Sequence, residues 1–128
     1  MYKVARMYEY DDSVAGKRGK ALRESETIKL YTRAAELNNV QAQMKLAECY
    51  GNGRYVKKNK KLRFNWLLRA ANNGHMEAQE LVAECFEKGR GAEHNDGKAY
   101  KYYKLAAEQG SEYGKIKAKE FELFKFYK

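Results

Sequence analysis

Apolar residues recur along this chain at the spacing of a helix face. Residues 42–50 place Ala42, Leu46, Ala47 and Tyr50 at i, i+4, i+5 and i+8. An α-helix gathers such positions on one side, whereas a strand would scatter them over two. Leu62, Trp66, Ala70 and Ala71 form a second stripe, with Phe64, Leu67 and Leu68 widening it, and Ala78, Leu81, Val82 and Cys85 form a third. Polar residues bracket the stripes. Asn59 and Asn95 stand where a side-chain oxygen can accept from the free N–H groups of a helix start. Gly74 and Gly110 stand where a left-handed residue closes a helix. The chain has no proline, so no ring breaks these segments. The pattern predicts helices near 1–9, 25–37, 41–51, 59–72, 76–88, 96–109 and 112–127.

The stripes belong to an internal repeat. Residues 46–53 read LAECYGNG and residues 82–89 read VAECFEKG, so Ala47/Ala83, Cys49/Cys85, Tyr50/Phe86 and Gly53/Gly89 all differ by 36. A second block keeps the same offset: LYTRAAELNN from 30, WLLRAANNGH from 66 and YYKLAAEQGS from 102. Each repeat thus reads as a first helix, a glycine-containing loop and a second helix. One such pair leaves a face uncovered that stacking buries. The first repeat departs from the rest. Val4, Ala5 and Tyr8 match Leu46, Ala47 and Tyr50 at an offset of 42, which predicts six added residues in a loop reading DDSVAGKRGKALRES.

These motifs resemble the Sel1-like repeat family, relatives of the tetratricopeptide repeats. The family's pattern is carried by Ala42, Leu46, Ala47, Tyr50, Gly51, Gly53, Trp66, Ala70, Ala71 and Gly74. It recurs in Ala78, Val82, Ala83, Phe86, Gly89, Gly91, Tyr102, Tyr103, Ala106, Ala107 and Gly110. The resemblance implies an all-α fold, a short right-handed α-α superhelix of about three repeats (1–39, 40–75 and 76–111) with a capping helix at 112–127, in one domain. It also implies that the first helix of each repeat lines a concave side, and that the chain serves as an adaptor in protein assemblies. The last helix loses the pattern, with Glu122 where the family has Tyr.

Composition narrows the function. The 128 residues are 44% hydrophobic, enough for a core, but 34% are charged and no run of ~18 apolar residues spans a membrane. The start MYKVARMYEYDD lacks the apolar stretch of a signal peptide, so the expected location is the cytoplasm. Cys49 and Cys85 occupy equivalent places in successive repeats. Stacked helices keep such points roughly 8–10 Å apart or more, and a disulfide needs less than about 7 Å. Both are therefore expected as buried, inert thiols. No catalytic constellation, cofactor site or metal site is expected. His75 and His94 pair with no nucleophile, and no Cys or His pair has ligand spacing. The stretch GAEHNDGK at 91–98 misses the phosphate-binding loop by one residue of spacing and by Ala99. The lactam-hydrolysing relatives suggested in the family are secreted and disulfide-rich, and the paired cysteines they carry are absent here.

The net charge of +9 is unevenly placed. Residues 54–63 carry Arg54, Lys57, Lys58, Lys60, Lys61 and Arg63 with no acid, and Lys17, Arg18, Lys20 and Arg23 add to this basic rim. The helix at 76–88 reverses the sign: Glu77, Glu80, Glu84 and Glu87 fall on one stripe opposite its apolar residues. By the resemblance that stripe lines the concave groove together with Arg6, Tyr10, Gln41, Met44 and Glu48. A basic, partly apolar segment of a protein partner is the expected occupant. An inhibitor or immunity-type protein that caps a toxin or enzyme is the alternative. Nucleic acid on the basic rim ranks below both, because the aromatics have core spacing. The ending FELFKFYK supplies Phe121, Phe124 and Tyr127 as a terminal apolar contact, suited to a homodimer.

Overall fold

The computed structural model describes residues 17–125, with side chains described for 23–124. All regular structure among them is helical: α1 (Lys17–Glu36), α2 (Val40–Asn52), α3 (Lys60–Asn72), α4 (Met76–Lys88), α5 (Asp96–Glu108) and α6 (Glu112–Glu120), the last continued by a π-helical turn, Phe121–Lys125. The chain divides between residues 59 and 60 into two compact units. The helix expected at 1–9 lies outside the described residues.

The turns that join the pairs are built alike. Asn38, Gly74 and Gly110 take φ of 68°, 90° and 102°. That left-handed conformation aims the next N–H groups back at the helix just finished. Asn39 N, His75 N and Ser111 N donate to Ala34 O, Ala70 O and Ala106 O, and Asn38 N, Gly74 N and Gly110 N donate to Ala35 O, Ala71 O and Ala107 O. The alanine pairs seen in the sequence thus supply the carbonyls of three Schellman turns. The residue after each left-handed position then caps the following helix. Ala42 N donates to Asn39 Oδ1 at 2.8 Å, Ala78 N to His75 Nδ1 at 3.2 Å, and Gly114 N to Ser111 Oγ at 2.8 Å. Asn95 caps α5 as expected, accepting from Lys98 N at 2.9 Å. His75 therefore has a structural task.

In the first unit α1 packs on α2 around Tyr31, Ala34, Ala35, Ala42, Leu46, Ala47 and Cys49, all at most 2% exposed. Gln43 is fully buried among them and donates to Ala35 O at 3.0 Å. Its amide thereby gives the Ala35 carbonyl a second donor beside Asn38 N, and the buried amide N–H finds a partner. Here the sequence expectation fails in part. The segment read as a loop ahead of residue 25 is helical from Lys17. Lys, Ala, Leu and Arg dominate that stretch and cost little in a helix, so one Gly there, at ~1 kcal/mol, does not break it.

In the second unit α4 packs against both α3 and α5, and α6 packs against α5. Aromatic rings fill the space between the pairs. Phe64 meets Phe86 edge-on at 5.2 Å, Phe86 stacks on Tyr102 at 6.0 Å, and Tyr103 touches Tyr113 and Phe121 at 5.7 and 5.8 Å. Such pairs contribute about 0.5–1.5 kcal/mol each beyond their buried area. The buried stripe of α3 is Phe64, Leu67, Ala70 and Ala71. Leu62, expected inside, is 36% exposed, and Trp66 is half-buried beneath the Arg69 guanidinium at 5.0 Å. With apolar residues at 62, 64, 66, 67 and 68, periodicity alone left the face open, and the ring of Phe86 fixed it. Gly114 stands where Ala42 and Ala78 stand in the earlier repeats, and there the backbones of α6 and α5 lie close together. A Cβ on it would lie 2.8 Å from Tyr103 O and 2.9 Å from Ala107 N.

Candidate functional site

Three of the four glutamates on the α4 stripe expected to line the groove already have partners in the second unit. Ser111 Oγ donates to Glu80 Oε2. Tyr113 OH donates to Glu84 Oε1 at 2.8 Å. Glu87 accepts on both oxygens, from Tyr103 OH at 2.7 Å and from Lys117 Nζ at 3.0 Å. The acidic stripe of α4 thus faces the first turns of α6, the first-member helix of the following pair. Glu77 is exposed; Glu80 and Glu84 are half-buried. The Glu87 side chain is only 14% exposed, and its carboxylate serves packing, which corrects its reading as a groove residue. The bonds run between residues 29 to 31 apart, a few short of the repeat length. Ser111, Tyr113 and Lys117 were missed because the only sequence signal for them is that near-repeat offset.

The electrostatics of this cluster follow from burial and from Glu87. Burial holds the Tyr103 phenol far above the usual tyrosine range, and its bond to Glu87 adds to the effect. The Tyr113 phenol is raised by burial and then by Glu84. At Lys117 burial lowers the ammonium's pKa, but the bond and charge of Glu87 raise it more, for a net upward shift. Lys117 Nζ also sits 5.6 Å from the Tyr103 ring centre and 3.5 Å from Glu120. The cluster is a set of carboxylates held by hydroxyl donors and by one paired cation. Among the described residues no group of three or more His, Cys, Asp or Glu could hold a metal ion.

The other expected groove residues fall in the first unit or outside description. On α2, Gln41 and Glu48 are exposed, Met44 is half-buried, and Glu48 pairs with Lys45 at 3.8 Å. Arg6 and Tyr10 lie outside the described residues. The basic rim divides as well. Arg54, Lys57 and Lys58 are exposed in the first unit, with Arg54 over the Tyr55 ring at 4.9 Å; Lys60 and Lys61 are exposed at the start of α3. Arg63 is not a rim residue. It is half-buried and donates to Cys85 Sγ at 3.6 Å.

Both cysteines are free thiols, 1% and 2% exposed. Burial raises the Cys85 thiol despite the nearby Arg63, which disfavours the reactive thiolate. The terminal apolar set also divides. Phe121 is 1% exposed against Tyr103 and belongs to the core, a correction to its reading as a contact residue, while Phe124 is 74% exposed. Tyr127 lies outside the described residues. Leu123, in the same FELFKFYK ending, is 53% exposed, and Ile116, at 58%, is an exposed apolar residue that the sequence reading left out.

A further feature was read in the sequence only at Lys60 and Lys61. The outer faces of α3 and α5 carry exposed Lys60, Lys61, Arg69, Lys98, Lys101 and Lys104. Several of these cations lie over aromatic rings: Lys98 over Phe86 at 5.5 Å, Lys101 over Tyr102 at 5.4 Å and Lys104 over Tyr100 at 5.8 Å. The first-member helix α4 carries the glutamates, and the second-member helices carry the cations.

Comparison with known proteins agrees with this architecture. The family model of the Sel1 repeat matches residues 1–39, 40–75 and 77–111. A Sel1 repeat protein from Oxalobacter formigenes is similar in structure at a TM-score of 0.76 with 30% identity, over 93% of this chain and 85% of that one. A protective antigen of uropathogenic Escherichia coli with the same fold gives 0.75 and 25% identity, but 94% of this chain spans only 24% of it. Cysteine-rich protein B of Helicobacter pylori gives 0.62 over 90% of this chain and 86% of its own, at 21% identity, and shows the fold alone. No curated protein is significantly similar in sequence. Three matched repeats, in register with the alanine-pair turns and the capped first helices, make the chain a member of the Sel1 repeat family.

Proposed function

We propose that this chain is a protein-interaction module, an adaptor that holds a basic, partly apolar segment of its partner against its first-member helix α4. Sel1 repeats form a non-catalytic scaffold that typically mediates contact between proteins. The observation that carries the reading is the state of the carboxylates on α4. Glu80 and Glu84 are held in place by Ser111 and Tyr113, beside the exposed Glu77 and the part-exposed Met76, Tyr113 and Ile116. Acceptors fixed before binding lose less side-chain entropy when a cation arrives. Met and Tyr at the border supply adaptable apolar contact. On α2, Gln41, Met44 and Glu48 offer the same mixture of one apolar and two polar positions. Two buried free thiols suit a reducing compartment, so the reading assigns the module to the cytoplasm.

The test must spare the bonds that hold α6. Reversing Glu80 or Glu84 would confound binding with folding. Glu77→Lys with Ile116→Lys changes two exposed positions instead. Tagged wild type and variant are used to capture partners from lysate of the source cells, with mass spectrometry as readout and circular dichroism as folding control. A partner retained by the wild type and lost by the folded variant supports the reading. An identical set of captured proteins refutes this surface.

A further inference from the structure

We infer that the outer face of α3 and α5 is a second binding surface, made for an acidic protein segment. The inference rests on the protein-interaction reading above but uses the opposite members of the helix pairs. It starts from segregation of charge. Helix α3 contains Lys60, Lys61, Arg63 and Arg69 and no acid, and in α5 the acids stand only at the two ends, Asp96 and Glu108. The two helices are neighbours, since Tyr102 OH donates to Asn72 Oδ1 at 2.9 Å. At ~1.5 Å of rise per residue the cations span about 13 Å along α3 and about 9 Å along α5. Both helices pack against α4, and between them they carry six exposed cations.

The rings beneath the cations decide what the face fits. Tyr102 is 7% exposed under Lys101, and Trp66 is half-buried under Arg69. Rings covered in this way offer no open face for a nucleic-acid base to stack on. A bilayer is also a poor match. Leu62, at 36%, is the one large hydrophobic residue of α3 or α5 that is markedly exposed, where an interfacial face needs a row of them. Arg, Trp and Tyr are instead the residue types that anchor protein interfaces. The spacing agrees as well. Lys98, Lys101 and Lys104 succeed one another at i, i+3 and i+6, the rhythm at which carboxylates recur on one face of a partner helix.

The experiment uses the full chain and a fluorescein-labelled helical peptide of about twenty residues with Glu at every third or fourth position. A peptide with Lys in place of each Glu is the control. Anisotropy titration is expected to give saturable binding of the Glu peptide, none of the Lys peptide, and weakening as salt rises. Lys101→Glu with Lys104→Glu should weaken binding by about 30-fold. Lys57→Glu with Lys58→Glu makes the same change of net charge in the first unit's loop, and should weaken it by less than about 3-fold. Equal effects of the two pairs would show attraction to net charge alone and overturn the inference. Displacement of the peptide by a 12-base-pair duplex or by phosphatidylserine vesicles, either binding more tightly at about 0.15 M salt, would overturn it too, in favour of nucleic acid or lipid. Loss of peptide binding here leaves the capture experiment on Glu77 and Ile116 untouched, so the two readings fail separately.

Discussion

Glu87 should be the residue on which the last helix depends most. Its carboxylate accepts from Tyr103 OH at 2.7 Å and from Lys117 Nζ at 3.0 Å, and Tyr103 is fully buried. Replacing Glu87 by Leu leaves the phenol without that acceptor, at a cost of about 1–3 kcal/mol. Lys117 keeps Glu120 at 3.5 Å, so the lost ion pair adds only about 0.5–1 kcal/mol. The expected loss is about 2–3 kcal/mol, a fall in urea midpoint of about 1–2 M at the slope usual for small proteins. Glu87→Gln keeps an acceptor oxygen for Tyr103 and should lose about 1 kcal/mol or less. Removing the phenol as well, in Glu87→Leu with Tyr103→Phe, should restore at least about 1 kcal/mol, because two apolar partners leave no orphaned donor. Urea titrations of wild type, Glu87→Leu, Tyr103→Phe and the double variant, followed by circular dichroism, measure that coupling directly, with Glu87→Gln alongside. Stability of Glu87→Leu within about 0.5 kcal/mol of wild type, or strict additivity in the double variant, would refute this account of how α6 is held.

Gly114→Ala places a methyl 2.8 Å from Tyr103 O and 2.9 Å from Ala107 N. Backbone cannot swing aside as a side chain does, so a loss of about 1–3 kcal/mol is expected in thermal unfolding. Gln79 donates to Ala71 O at 3.2 Å and accepts from Gln109 Nε2 at 2.7 Å. Ala71 O keeps Gly74 N and Gln109 keeps Gly74 O, so Gln79→Leu should cost only about 0.5–1.5 kcal/mol, with faster amide exchange at the start of α4 as the local sign. Stability should also decline in alkali. The folded-state pKa values of Tyr103 and Lys117 are raised, so the unfolded chain releases those protons first. Their contribution is intact below about pH 10, the unfolded range of both groups, and is lost as pH rises beyond it. Urea midpoints at pH 8 and 10.5 should differ, and Tyr103→Phe should flatten the difference.

The sequence carried the period, and the period carried most of the fold. An offset of 36 set the alanine pairs, the left-handed positions and the capped starts in register, because each is a backbone requirement met by one or two adjacent residues. Asn39, His75 and Ser111 share nothing as side chains except an atom able to accept a hydrogen bond, yet all three cap a helix. That requirement falls on an atom, not on a residue type, so residue matching missed it. The buried amides of Gln43 and Gln79 went unread for a related reason. They were legible as a repeat but not as core, because an amide becomes a core residue only when a helix-end carbonyl can accept from it.

The candidate site was legible as charge but not as contact. Four glutamates on one stripe looked like a free face because helical periodicity records which residues share a side, and not what that side meets. What it meets is decided by Ser111, Tyr113 and Lys117, about one repeat further along. Those residues also explain why α6 differs from the earlier first-member helices. At the places of Glu80 and Glu87 it carries Ile116 and Leu123, both more than half exposed. Of the three carboxylates that α4 turns to α6, only the one at the place of Glu84 has a counterpart on α6, Glu120. A partner at that face of α6 would therefore meet two apolar side chains and one carboxylate, where α4 offers three carboxylates.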